Sequence, residues 1–117
     1  MIQIARRRPS AGTLASAAML IAVHPPLELE PVVWVALVPW ILVVQRASTT
    51  REALVQTLWL ELLVGFGWGW WLPEAVAEFF SVPIWAGVVA LGLNAAIHQL
   101  HWLPFAWCIR HLSLIHI

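Results

Sequence analysis

The chain has 117 residues, of which 62% are hydrophobic and 10% are charged, whereas a soluble domain is about half apolar and a quarter charged. A chain this small has too much surface for its volume to hide so many apolar side chains from water, so the composition predicts a membrane protein. Six arginines balance six glutamates, which excludes a global field that would attract nucleic acid, and the single cysteine excludes an internal disulfide.

Charged residues divide the chain into four apolar stretches, and these predict an all-α, polytopic membrane protein with about four transmembrane helices. The predicted helices cover approximately residues 10–27, 31–45, 53–72 and 82–109. About 20 helical residues cross the hydrocarbon core, so the last two stretches are long enough. The first two need flanking residues or local bilayer thinning, and the alternative is a re-entrant hairpin packed against protein.

The distribution of charge predicts the orientation. With a cytoplasmic N-terminus and one crossing for each stretch, all arginines fall on the cytoplasmic side: Arg6, Arg7, Arg8, Arg46, Arg51 and Arg110. The opposite side holds Glu28, Glu30, Glu74 and Glu78. Because basic residues are retained in the cytoplasm, we predict an N-in, C-in topology in which residues 1–9 form a basic cytoplasmic N-terminus and residues 10–111 the helical domain.

Three further segments carry predictions of their own. The basic and apolar N-terminus also resembles a cleavable secretory signal, but more membrane sequence follows it directly. In residues 73–80, Glu74 and Glu78 share one helical face, which predicts a short helix on the membrane surface. Gly65 and Gly69 form a GxxxG motif, which predicts close helix packing.

Residues 112–117, LSLIHI, are predicted to be a non-native tail. The codons CTG TCT CTT ATA CAC ATC encode them and resemble the transposase end sequence used to prepare sequencing libraries. Our hypothesis is that the gene is read into adapter DNA, so that the natural chain is truncated near His111. The alternative is an ordinary apolar tail, and the nucleotide sequence distinguishes the two.

Polar residues inside the predicted spans are the only candidate site residues. Glu61 is the one charged residue within a span, at a cost of about 2.5–3.5 kcal/mol on insertion scales. Asn94, His98 and His101 follow an i, i+4, i+7 spacing and share one helical face. We favour hydrogen bonds to neighbouring helices for all four, with the lining of a polar cavity as the alternative. No catalytic, cofactor-binding or metal-ligating residue is assigned, and no cofactor is expected.

Four segments resemble bacterial apolipoprotein N-acyltransferases over Leu20 to Arg110. In chain order they are LIAVHPPLELEPVVWVALVPWILVV, RASTTREA, LLVGFGWGWWLPEAVAEFF and LHWLPFAW. The order of features is a helix ended by two prolines, a second helix opened by Pro and Trp, a basic loop and a glycine-rich third helix.

This resemblance implies a multi-pass parent enzyme of the bacterial inner membrane, with about eight membrane helices and a periplasmic nitrilase-like domain. Such enzymes take an acyl chain from phospholipid onto a cysteine and pass it to the N-terminal amine of a lipoprotein. The resemblance places their Glu-Lys-Cys catalytic set beyond residue 117, and this chain has no lysine. It implies a membrane anchor that is inactive alone, with membrane lipids, phospholipid and apolipoprotein as partners and no nucleic acid. The alternative is a fragment of an unrelated small membrane protein or transporter, in which Glu61 and the Asn94 face line a path.

Overall fold

The computed structural model describes residues 8–98 and 100–115, without the side chains of residues 113 and 114, and every regular element in these ranges is helical. The elements are α1 (Ala11–Ala22), a 3-10 turn (Glu30–Val32), α2 (Val33–Ala36), α3 (Val38–Arg46), α4 (Thr50–Trp68), α5 (Leu72–Phe80), α6 (Ile84–His98) and α7 (Trp102–Ile115). The predicted all-α class is therefore confirmed. None of the described helices is at once long and apolar enough to cross a bilayer.

Helix α1 is shorter than the predicted 10–27. It begins after Ser10, whose side chain accepts a hydrogen bond from the backbone N–H of Thr13 at 3.2 Å. It ends at Ala22, shortly before Pro25 and Pro26. Because a proline disfavours helical geometry in the residue before it and has no N–H to donate, the helix cannot continue through this pair.

The stretch predicted as one helix over 31–45 is a 3-10 turn followed by two helices. The α2–α3 boundary lies at Leu37, two residues before Pro39. Pro39 cannot donate to the carbonyl of Val35, and its ring crowds that carbonyl. The next N–H, that of Trp40, donates instead to Ser16 Oγ on α1 at 2.9 Å. The backbone N–H of Trp40 at the break is thus satisfied by a hydrogen bond to another helix.

The stretch predicted as one helix over 82–109 also divides, into α6 and α7. Pro104 has no N–H to donate to the carbonyl of Leu100, so the regular ladder is interrupted there. Two hydrogen bonds of the 3-10 type, each to the carbonyl three residues earlier, form around the break. The Leu100 N–H donates to the Ile97 carbonyl at 3.4 Å, and the Leu103 N–H donates to the Leu100 carbonyl at 3.3 Å.

Helix α4, predicted over 53–72, begins earlier and ends earlier. Thr49 Oγ1 accepts from the Glu52 N–H at 3.1 Å and starts the helix at Thr50. The helix ends at Trp68 with Gly69 as its C-cap, and α5 follows with Pro73 in its first turn. The short helix predicted over 73–80 is present as α5.

Helix α4 is the centre of the bundle and packs against α1, α3, α6 and α7. It runs parallel to α1, because Gln56 Oε1 accepts from Thr13 Oγ1 near the start of both helices and Gly67 meets Ile21 near their ends. The core beside it contains Ala17, Leu20, Ala36, Trp40, Val44, Ala53, Leu60, Val64 and Ala106.

Helices α6 and α7 together run antiparallel to α4. Gly65 meets Ala95 of α6 in the second half of α4, and Thr50 Oγ1 at its start accepts from Arg110 Nε of α7 at 3.3 Å. The chain therefore traverses the bundle four times in alternating directions, through α1, α2–α3, α4 and α6–α7.

The GxxxG motif packs as predicted. A Cβ on Gly65 would lie 2.6 Å from the Cβ of Ala95, and a Cβ on Gly69 would overlap the side chain of Leu91. Both glycines therefore allow α6 to approach the α4 backbone, which confirms the predicted close packing.

The described arginines lie at one end of the bundle, and four of the six glutamates lie at the other. The end formed by the start of α1, the α3–α4 loop and α7 holds the described arginines Arg8, Arg46, Arg51 and Arg110. The other end, beyond the C-termini of α1 and α4, holds Glu28, Glu30, Glu74 and Glu78. We call them the basic end and the acidic end.

Candidate functional site

Three of the four polar residues predicted from the sequence line one groove at the α6–α7 break. The groove has a volume of about 420 Å³ and is lined by Asn94, His98, His101, Trp102 and, from α4, Trp68. Asn94 is half-buried, and His98 and His101 are exposed. The break in the helix thus coincides with the polar face that the i, i+4, i+7 spacing indicated.

The hydrogen bonding of His101 fixes the position of its proton. Its Nδ1 lies 3.0 Å from the backbone carbonyl oxygen of His98, which can only accept, so Nδ1 carries the hydrogen. In the neutral ring Nε2 therefore has a lone pair that can accept a hydrogen bond. With the amide of Asn94 and the ring of His98, the groove offers both donors and acceptors.

Tryptophan rings form the walls of this groove and are held by other contacts. Trp68 Nε1 donates to the carbonyl of Leu20 at 3.0 Å. The His24 ring packs edge-on against the Trp68 ring, with 4.2 Å between the ring centroids. Trp102 packs edge-on against the fully buried Trp40 at 5.6 Å. These contacts tie the groove to α1 and α3, so its shape depends on the whole bundle.

Glu61, the fourth predicted residue, is buried on α4 and does not line this groove. It lies one turn before Gly65 on the same face of α4, the face that meets α6. Its side chain is 4% exposed, and Oε1 finds no hydrogen-bond partner among residues 8–98 and 100–115. A buried polar atom without a partner carries a desolvation cost, so Glu61 marks a costly position in the core.

The chemistry of these residues is that of hydrogen bonding. Within the part of the chain that the structure describes, no group of three or more His, Cys, Asp or Glu side chains could hold a metal ion. Cys108 is exposed on α7. The arrangement at the groove can therefore bind a polar group between aromatic walls.

A second polar centre, at the basic end, was missed by the sequence analysis. Gln56 Oε1 accepts from the Ser10 N–H and from Thr13 Oγ1, each at 2.8 Å, and its Nε2 donates to the Arg8 carbonyl at 2.8 Å. A sequence signal existed, because Ser10, Thr13 and Ser16 recur every third residue and share one helical face.

Arg110 forms a separate set of hydrogen bonds at the basic end. It is 7% exposed and donates to the carbonyls of Ala47 and Ser48 and to Thr50 Oγ1, the Ser48 bond being 3.1 Å long. Its guanidinium therefore fastens α7 to the α3–α4 loop. The sequence placed Arg110 at the basic end but gave no indication of these partners.

Comparison with known protein families supplies the assignment. The model of the apolipoprotein N-acyltransferase N-terminal domain matches residues 16–117. The chain belongs to this family. No curated protein and no solved structure matches it.

The family match confirms the resemblance found in the sequence. It covers α1 from Ser16 onward and every later element, including the groove residues and Arg110. The groove and the hydrogen bonds of Arg110 thus lie within the matched region, whereas the partners of Gln56 precede it.

Proposed function

We propose that this chain is the N-terminal membrane-anchoring domain of a bacterial apolipoprotein N-acyltransferase. The parent enzyme would transfer an acyl chain from phospholipid to the N-terminal cysteine of lipoproteins in the inner membrane. The observation that carries this proposal is the family match over residues 16–117.

The outer surface of the bundle supports a lipid environment. On α6 the outward side chains Ile84, Trp85, Val88, Val89, Leu93 and Ile97 are each 53–66% exposed. A continuous apolar face of this kind is unfavourable in water and suits contact with hydrocarbon.

The charge segregation supports an orientation. Arginines lie at one end of the bundle and most glutamates at the other, and basic residues are retained in the cytoplasm. The basic end would face the cytoplasm, and α5 would lie at the periplasmic surface. The chain would orient a periplasmic catalytic domain, and it would not transfer acyl groups alone because it has no lysine for the Glu-Lys-Cys set.

The gene tests the enzyme assignment. Amplifying source DNA beyond the codon for His111 is expected to reveal a nitrilase-like domain that contains the catalytic lysine. A stop codon, or further apolar spans without such a domain, would overturn the assignment in favour of an unrelated membrane protein or transporter.

Cysteine labelling tests the orientation. In a Cys108→Ser background, Glu74→Cys is expected to react with an impermeant maleimide added to spheroplasts, and Arg51→Cys only after lysis. The reverse pattern would contradict the proposed topology.

A further inference from the structure

A second groove lies at the basic end, between α1, α3 and the start of α4. It is distinct from the groove at the α6–α7 break. Its volume is about 410 Å³, and it is lined by Gly12, Pro39, Leu42, Val43, Arg46 and Glu52. We call it the α1–α3 groove. No residue predicted from the sequence as a candidate site lines it.

The lining of the α1–α3 groove changes from apolar to charged along α3. Pro39, Leu42, Val43 and Arg46 follow i, i+3, i+4, i+7 spacing and share one helical face. Arg46 is the last residue of α3, so the charge lies at the basic end and the apolar wall extends toward the middle of the bundle. This gradient matches an amphiphile whose charged group lies at the end of the bundle.

The close approach of α1 shapes the apolar part. A Cβ on Gly12 would lie 2.6 Å from Val43 Cγ2 and 3.0 Å from the Pro39 carbonyl oxygen. The glycine therefore lets the α1 backbone approach α3, and the residues at this contact form the apolar part of the groove.

The charge at the mouth of the groove favours an anion. Arg46 is the arginine of the lining, and its side chain is exposed at the last residue of α3. Glu52 is the described acid at this mouth, and its Oε2 accepts from the N–H and the hydroxyl of Ser48, at 2.9 and 2.6 Å. The glutamate is therefore directed to the α3–α4 loop, while Arg46 can meet a phosphate with a charge-assisted hydrogen bond.

We propose that the α1–α3 groove binds a glycerophospholipid from the leaflet at the basic end. Its phosphodiester contacts Arg46, and one acyl chain lies along Pro39, Leu42 and Val43. This inference rests on the proposed membrane-anchoring function. It assigns a lipid site on the cytoplasmic side of the bundle, where basic pockets between helices suit phosphate headgroups.

Binding of one defined lipid tests the site. The full chain, purified in detergent, is titrated with phosphatidylglycerol, and bound lipid is counted by native mass spectrometry. Arg46→Gln is expected to weaken binding about tenfold, which corresponds to about 1.4 kcal/mol. Arg46→Lys is expected to restore most of the binding, and Arg51→Gln, the matched loss of an exposed arginine outside the groove lining, to leave it within about twofold.

The apolar wall has its own pair of variants. Leu42→Gln is expected to weaken lipid binding about fivefold because it places an amide against the acyl chain. Leu14→Gln, which changes an exposed leucine of α1 outside the lining, is expected to have no effect. Circular dichroism confirms that each variant keeps its helix content.

Two results would overturn the lipid site. The first is that Arg46→Gln and Arg51→Gln bind phosphatidylglycerol with equal affinity. The second is that inorganic phosphate displaces bound phosphatidylglycerol at the same concentration as free phosphatidylglycerol does. Fractionation of the same cells separates this failure from that of the proposed function. Wild-type protein outside the membrane fraction refutes the anchor, whereas membrane-bound protein with unchanged binding in Arg46→Gln refutes the groove alone.

Discussion

The backbone N–H of Trp40 donates to Ser16 Oγ at 2.9 Å, directly after Pro39 interrupts the helix. Trp40 is fully buried, and so is Ser16, so neither group can turn to water. A hydroxyl on α1 therefore provides the acceptor that the broken helix lacks. The proline and the serine form one feature, although 23 residues separate them in the chain.

Replacing Ser16 by alanine is expected to lower the free energy of unfolding by about 1–3 kcal/mol, because the Trp40 N–H would stay buried without an acceptor. Unfolding of the detergent-solubilised chain by increasing sodium dodecyl sulfate, followed by tryptophan fluorescence, measures this change. Ser81→Ala is the control, since Ser81 is exposed on the turn after α5. Equal stability of the two variants would show that the Ser16 bond contributes nothing.

Two glycines of the bundle are expected to respond to alanine with opposite signs. At Gly65 the new methyl would lie 2.6 Å from the Ala95 Cβ and 2.9 Å from its Cα, so Gly65→Ala should destabilise the fold by about 1–3 kcal/mol. At Gly92, in the middle of α6, nothing lies within 4 Å of the added Cβ. Gly92→Ala should therefore stabilise the helix by about 0.5–1 kcal/mol.

The same unfolding titration measures both glycine variants. An unchanged or raised midpoint in Gly65→Ala would contradict the close α4–α6 contact at Gly65, and a lowered midpoint in Gly92→Ala would contradict the open space beside Gly92.

Arg110→Gln is expected to release α7 from the α3–α4 loop. The guanidinium donates to Ala47, Ser48 and Thr50, and hydrogen bonds of charged groups contribute about 1.5–3 kcal/mol. Hydrogen exchange should accelerate at residues 47–50 and along α7, while α1 is little affected. Arg46→Gln removes an exposed arginine close by and should leave exchange in these segments unchanged. Equal exchange rates of the two variants at residues 47–50 and along α7 would refute the proposed contact between Arg110 and the loop.

Local patterns predicted the helical class and the position of Asn94 and His98 one turn apart on α6, because helical periodicity depends only on neighbours in sequence. His101 lies between α6 and α7 and not on that helix. The breaks at Leu37 and between α6 and α7 were not predicted. Pro39 and Pro104 were visible, but a proline in an apolar run can kink a helix or end it, and the outcome depends on partners such as Ser16.

The site could be predicted only in part, because a groove is a property of several helices. Asn94, His98 and His101 were identified, but Trp68 reaches the groove from α4 by its contacts with α1. For Glu61 we favoured a hydrogen bond to a neighbouring helix, with cavity lining as the alternative; its Oε1 finds no partner in the described ranges, and its side chain does not line the groove. The GxxxG pattern predicted a close helix contact at Gly65 but could not identify Ala95 of α6 as its partner.

The burial of Glu61 leads to a prediction about the cost of this carboxyl group. Oε1 has no hydrogen-bond partner in the described ranges, and the side chain is 4% exposed. Glu61→Met keeps a similar volume and removes the unsatisfied oxygen, so it should raise the free energy of unfolding by about 1–3 kcal/mol. Glu74→Met, at an exposed site of α5, should change it little. The measurement is the unfolding midpoint in sodium dodecyl sulfate, and a loss of stability in Glu61→Met alone would show that the carboxyl group has a stabilising partner.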